Sequence, residues 1–315
     1  MPIHPIARET ARGIPGGRLT LATLTPVMIA DVSNATTIFY TPYLHDRVTI
    51  YDGASWTMMQ FAELSNITTN AAVGSAGPAA VVANSNYDLF VWNDAGTLRL
   101  TRGPLWTSAT ARGVGAGTTE LVRVNGIWMN AVAITNGPAA QRGTYVGTVR
   151  SDAGAAIDWE LGGDAVGGDP AFLYVWNAYN RVDVDVMVVD STAFWDYLVL
   201  ATWRSANAST SNRVSYIIGL SEDSIRATHD RCAAPLAGGV PYIGVGFDST
   251  TVVNGLTEFN TALVGLTART SSVAIGAHFF QALELNNGGG GSTARFYGIV
   301  VVGIARHGLY ATGKF

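Results

Sequence analysis

The 315 residues suffice for two domains of ordinary size, and 48% of them are hydrophobic. Only 13% are charged, about half the usual share of ~25%, and the net charge of −4 comes with no basic run, which argues against binding to a phosphate backbone. The single cysteine, Cys232, excludes an intramolecular disulfide framework, and no apolar run approaches the ~20 residues of a membrane span.

Residues 1–17 contain three prolines and two arginines without any period, and read as an extended N-terminal arm. The start, Met1-Pro2-Ile3-His4-Pro5, lacks a basic region followed by an apolar one, so no signal peptide is expected and synthesis in a cytoplasm is. From Arg18 onward, β-branched and aromatic runs alternate with turn residues. Strands are expected at 36–41, at 47–51 running into Asp52-Gly53, and at 55–61. A second hairpin is expected from 87–92 to 97–101, with a loop over 70–84 before it and further strands at 120–124, 127–130 and 145–150. Residues 151–170 are rich in Gly, Asp and Ala and mark the main change of composition.

Beyond this break, 181–190 alternates cleanly: Val182, Val184, Val186 and Val188 share one face, and Asp183, Asp185 and Met187 the other. Strands follow at 194–204, 213–220, 242–247, 273–285 and 293–304. The one helix expected lies over 222–232, capped by Ser221, with Glu222 and Asp223 in its first turn and Ile225, His229 and Cys232 on one face. No equal-period repeat occurs, which argues against a propeller or a β-helix. The expected class is therefore all-β: a small N-terminal β-domain over 18–150, a Gly/Asp-rich linker and junction over 151–180, and a jelly-roll-like β-sandwich with one short helix over 181–315.

Several of these runs resemble a module of tailed-phage virion proteins. They are Phe39-Tyr40-Thr41-Pro42-Tyr43, Arg47-Val48-Thr49-Ile50-Tyr51-Asp52-Gly53-Ala54-Ser55-Trp56, Tyr87-Asp88-Leu89-Phe90-Val91-Trp92, Tyr145-Val146-Gly147-Thr148-Val149-Arg150 and Val175-Trp176-Asn177-Ala178-Tyr179-Asn180-Arg181-Val182. The runs Ala201-Thr202-Trp203-Arg204 and Gly244-Val245-Gly246-Phe247-Asp248-Ser249-Thr250 resemble the downstream region of the same proteins more loosely. Members are tail-fibre, head-fibre or head-spike components, including those of gene transfer agents. The resemblance implies a non-enzymatic virion protein that binds a host-surface glycan as a fibre or spike. Its partners would be copies of itself, a homotrimer by analogy, and neighbouring capsid or tail proteins. Two other readings are a purely structural decoration or adaptor, and a tailspike that depolymerises glycans.

Composition points the same way. A mean hydropathy of +0.22 with so few charges leaves a monomer poorly solvated, so part of its surface is expected to lie against other protein. Trp176, Asn177, Tyr179 and Asn180, at the expected domain junction, combine apolar faces with hydrogen-bonding tips. They suit a structural seam, or stacking on sugar rings, and are the candidate ligand-binding residues.

Other chemistry is sparse. His4, His45, His229, His278 and His307 have no metal-ligand spacing, and neither a metal nor a cofactor is expected. Asp152, Asp158, Glu160, Asp164 and Asp169 form an acidic cluster of the kind calcium prefers, though without EF-hand spacing. In a strand, Asp158 and Glu160 would share one face, as a glycosidase pair must; Asp183 and Asp185 repeat the pattern on a solvent face. No Gly-x-Ser-x-Gly elbow occurs, the glycines at 113, 115 and 117 do not complete Gly-x-Gly-x-x-Gly, and the P-loop spacing from Gly308 to Lys314 is followed by Phe315 rather than Ser or Thr.

Overall fold

The computed structural model describes residues 13–70, 77–255, 257–259, 264–300 and 305–315. Among them every regular element is a strand except one 3-10 turn, Ala206–Ala208. Among the described residues no helix is long and apolar enough to cross a membrane. By its internal contacts the chain divides into two compact units. The first holds the residues up to Met28 with Ala35–Ala156 and Asn177–Asn180, and the second Ile29–Asn34, Ile157–Trp176 and Arg181–Phe315.

In the first unit, Thr37–Pro42 lies between Gly17–Thr20 and Leu64–Ile67, antiparallel to both. Leu19, Ile38 and Tyr40 are buried there, and the Tyr40 ring stacks on Phe61 at 5.1 Å. Arg47–Tyr51 pairs with Trp56–Gln60, and the Asp52 carboxylate closes the four-residue loop by accepting N–H bonds from Ala54 (2.8 Å) and Ser55 (2.7 Å). A larger sheet runs in the order Thr97–Leu105, Asn86–Asp94, Thr144–Arg150, Ile127–Asn130, Leu121–Val124. Two of its hairpins turn through two residues of positive φ, Ala95-Gly96 (48° and 98°) and Asn125-Gly126 (50° and 91°), the geometry that matches the twist of the flanking strands.

The expected arm falls largely at residues 1–12, outside the described residues. Its last residues are no free arm. The Gly16 N–H donates to the Arg47 carbonyl at 2.9 Å, and Gly17 opens a buried strand. The expected loop over 70–84 likewise lies partly outside the described residues, at 71–76.

The second unit is a β-sandwich. One sheet includes, in order, Ile157–Glu160, Ala171–Leu173, Arg213–Ile218, Gly276–Asn286 and Pro241–Phe247. The other includes Asp183–Asp190, Gly308–Lys314, Ile225–Leu236, Thr293–Tyr297 and Trp195–Tyr197. Contacts between the sheets define the interior: Trp159 meets Phe315 edge-on at 6.0 Å, and Trp195 Nε1 donates to Glu284 at 2.7 Å. Two pairings are parallel, Asp164–Ala165 with Asp183–Asp190 and Ala171–Leu173 with Arg213–Ile218.

Three expectations are corrected here. The stretch 151–180 is not a free linker, because Ile157–Glu160, Asp164–Ala165 and Ala171–Leu173 are strands of these sheets. The helix over 222–232 is instead the strand Ile225–Leu236. Ile225, Ala227, His229 and Arg231 are buried while Arg226 is exposed and Thr228 and Asp230 are half-buried, a period of two. Hydrogen-bonded neighbours on both sides, Val264–Ser272 on one and Gly308–Lys314 and Thr293–Tyr297 on the other, override a local sequence that also fits a helical stripe. The expected long strand at 194–204 is reduced to Trp195–Tyr197 and Arg204–Ser205.

Candidate functional site

The four junction residues are built into the fold. Trp176 is 0% exposed, and the Arg181 guanidinium lies 4.9 Å from its ring centroid. Asn177, 2% exposed, serves as a piece of strand for the first unit: its Oδ1 accepts the Leu19 N–H at 2.6 Å, and its Nδ2 reaches the Leu19 carbonyl at 3.4 Å. The Tyr179 hydroxyl accepts the Trp128 N–H at 3.3 Å. Asn180 Nδ2 donates to the carbonyls of Pro15 (2.7 Å) and Gly17 (3.2 Å), and its own carbonyl accepts from Arg18. The buried indole of Trp176 has no face to offer a sugar and Asn177 is buried in a structural role, while Tyr179 and Asn180 are half-buried. Asn177→Ala should therefore cost about 1–3 kcal/mol, the penalty for a buried N–H left unpaired, read as a lower urea midpoint.

Two of the quoted runs converge on one buried network in the first unit. Asp88, on Asn86–Asp94, accepts from Arg112 Nε (2.6 Å) and Nη2 (3.2 Å), from Thr148 Oγ1 (2.6 Å) and from Thr119 Oγ1 (3.0 Å). The Tyr145 hydroxyl lies 2.6 Å from Thr148 Oγ1, and Arg112 stacks 4.3 Å from the Trp106 ring centroid. Burial alone would lower the Arg112 pKa, but the adjacent Asp88 carboxylate holds it above its ordinary value. Every carboxylate oxygen is thus occupied from within the unit, and the network locks the 106–120 loop onto the sheet.

The second unit buries a comparable group. Glu284 accepts from Trp195 and from Arg204 (Nε, 2.8 Å), yet burial pushes its carboxyl above the usual range. Against the upward push of burial, hydrogen bonds from Thr192, Asn207 and the Gly167 N–H hold Asp190 low. Arg231 sits 5.0 Å from the Trp195 ring centroid, and His229 Nδ1 lies 3.1 Å from the Gly244 carbonyl. These groups are sealed in the sandwich, where a substrate has no access.

The acidic cluster disperses. Asp152 closes its own loop by accepting from the N–H groups of Gly154 and Ala156, Asp158 accepts the Asn34 N–H (2.8 Å), and Glu160 accepts from Ser33 Oγ (2.6 Å). Among the described residues no group of three or more His, Cys, Asp or Glu stands close enough to share a metal ion.

Two features remain at the surface of the second unit. Among the described residues Trp195–Tyr197 is an edge strand, paired with Thr293–Tyr297, and it is flanked by Phe194, Leu198 and Val199, which are 49, 65 and 57% exposed. A separate open cavity of about 460 Å³ lies over the paired strands Ile225–Leu236 and Val264–Ser272, with Arg226 and Arg269 on its lining. The helical reading of 222–232 hid this arginine pair; the alternation of Arg226, Thr228 and Asp230 with Ile225, Ala227 and His229 is the signal that places it on a strand face. Asp88 stood inside a quoted run, but only the fold brings Arg112 to it.

Compared with protein-family models and with curated proteins, the chain matches none.

Proposed function

We propose that the chain is a structural subunit of a phage-type virion, a fibre or spike that works in several copies and attaches to a glycan on the host surface. The observation that carries this reading is the apolar edge of the second unit. The short strand Trp195–Tyr197 ends its sheet, and three large exposed apolar side chains within six residues give that edge an apolar surface for another protein face. The partner to which this edge is assigned is a second copy of the chain. A protein with 13% charged residues has little else with which to keep such an edge apart from its copies. The Asp196–Arg295 pair (2.7 and 2.9 Å) lies on the same edge, and Arg295 covers one face of Phe194 at 4.1 Å, leaving Leu198 and Val199 as the most open apolar contacts. The resemblance in the first 182 residues supplies the virion setting, with neighbouring capsid or tail proteins as further partners.

Light scattering on the purified protein across a dilution series tests this. The wild type is expected to be an oligomer, and Leu198→Asp to weaken its association by about tenfold or more, since burial of one leucine is worth roughly 1.5–3 kcal/mol. A wild-type monomer at every concentration overturns the reading. Adherence of the wild type to bacterial cells separates a receptor-binding fibre from a purely structural decoration.

A further inference from the structure

Ile225–Leu236 and Val264–Ser272 pair antiparallel, with Arg226 opposite Ser271 and Thr228 opposite Arg269. Opposite residues in such a pair share a face, so two arginines and two hydroxyl residues form a block of four on the side away from buried Ile225 and Ala227. Thr270 and Gly255 complete the wall of the cavity. Gly255 has φ +97°, and a Cβ there would stand 2.4 Å from the Arg269 carbonyl oxygen, so only glycine lets its loop approach this closely.

The two guanidinium groups are distinguished by what they lack. Arg181 pairs with Glu222 and Asp223, Arg204 with Glu284 and Arg295 with Asp196, while Arg213 bonds Gln281 and Arg231 reaches the Tyr297 carbonyl. Among the described residues Arg226 and Arg269 have no hydrogen-bond, ion-pair or ring partner, and both are exposed. Asp230, opposite Thr267 on the same face, is a diagonal neighbour of Arg269 but makes no ion pair with it, and Asp185 lies opposite Thr312, which separates it from Arg226. Strand spacing puts Asp185 and Arg226 about 10 Å apart.

We infer that this groove binds a carboxylate-bearing saccharide. Planar guanidinium forks match a carboxylate in geometry and charge. The hydroxyls of Thr228 and Ser271 can each donate to and accept from sugar hydroxyls. A volume of about 460 Å³ falls in the range of small-ligand sites, roughly 300–1,000 Å³, and its open form lets a polysaccharide run through. Nucleic acid fits less well, because two isolated cations on a protein of net charge −4 neutralise too few phosphates to hold a strand. The inference rests on the glycan-binding part of the proposed function and names the chemical class recognised.

Calorimetric titration of the full chain tests it, with oligomers of galacturonic, glucuronic and mannuronic acid and with sialyllactose, each beside its methyl ester. At least one acid is expected to bind, with its ester at least about tenfold weaker, because the charge-assisted bonds are lost. Arg226→Gln and Arg269→Gln are each expected to weaken binding about tenfold, the double variant to abolish it, and Arg99→Gln in the first unit to leave it unchanged. Thermal unfolding of the variants at the wild-type temperature shows that they fold. The inference is overturned if none of the four acids binds, if the esters bind as well, if the double variant binds unchanged, or if a DNA oligonucleotide binds equally well. Cell adherence measured on the same samples keeps the two ideas apart. A wild type that adheres while failing with all four acids loses this site and keeps the receptor reading, and a wild type that binds neither loses both.

Discussion

Asp88→Ala should lower the stability of the first unit by about 3–5 kcal/mol, the usual cost of stranding one member of a buried ion pair. Its carboxylate takes four hydrogen bonds from Arg112, Thr119 and Thr148, and meets the Arg112 guanidinium at 2.6 Å in the buried interior. Truncation leaves a guanidinium between Trp106 and Tyr145 with its charge uncompensated. A double replacement, Asp88→Leu with Arg112→Met, should recover most of the loss, because the penalty belongs to the stranded charge and not to the pair. Urea unfolding followed by tryptophan fluorescence reads both, and a loss below about 1 kcal/mol for the single variant would show that water reaches the site.

The second large effect is a fall in stability with acid that traces to His229. Burial, followed by the nearby Arg231 and His307, pulls its pKa from 6.5 down to about 3. Nδ1 faces the Gly244 carbonyl, and Nε2 is buried without a partner among the described residues, so the sandwich holds a neutral ring. The unfolded chain takes up a proton near pH 6.5 and the folded one only near pH 3. The contribution is therefore complete above about pH 6.5 and is lost as pH falls towards 3, on the order of 5 kcal/mol at the limit. His229→Gln keeps a donor for Gly244 and cannot titrate. Its stability profile between pH 7 and 4 should be flatter than that of the wild type, and parallel profiles would count against this assignment. Asp190 contributes in the same direction, since its carboxyl is held low, so the variant reduces the slope without abolishing it.

What could be read from the sequence followed from how local each signal is. The hairpin Arg47–Tyr51 with Trp56–Gln60 is legible because the alternation and the Asp52-Gly53 turn lie within a few residues. So is Asp183–Asp190, where the valines alternate with acids. Ile225–Leu236 was misread because Ile225, His229 and Cys232 fit a helical stripe as well as a strand, and its three pairing partners lie between about 30 and 90 residues further along the chain. The same distance hid the sites. The Asp88 network gathers residues from 88 to 148, and the Arg226–Arg269 block joins strands whose pairing no short window reveals. Trp176 and Asn177 attracted notice as amphipathic side chains, but composition cannot tell an exposed tryptophan from one that is 0% exposed.

The placement of Gly308–Lys314 bears on how the protein is made. This strand lies between Asp183–Asp190 and Ile225–Leu236 and is hydrogen-bonded to both. On a translating ribosome the two flanking strands emerge more than 70 residues before the one that joins them, so the sheet has a gap at its centre until residue 314 has cleared the exit tunnel. The sandwich therefore closes only once that strand has emerged, and until then Val186, Val188 and Ala227 are apolar edges that nascent-chain chaperones would shield.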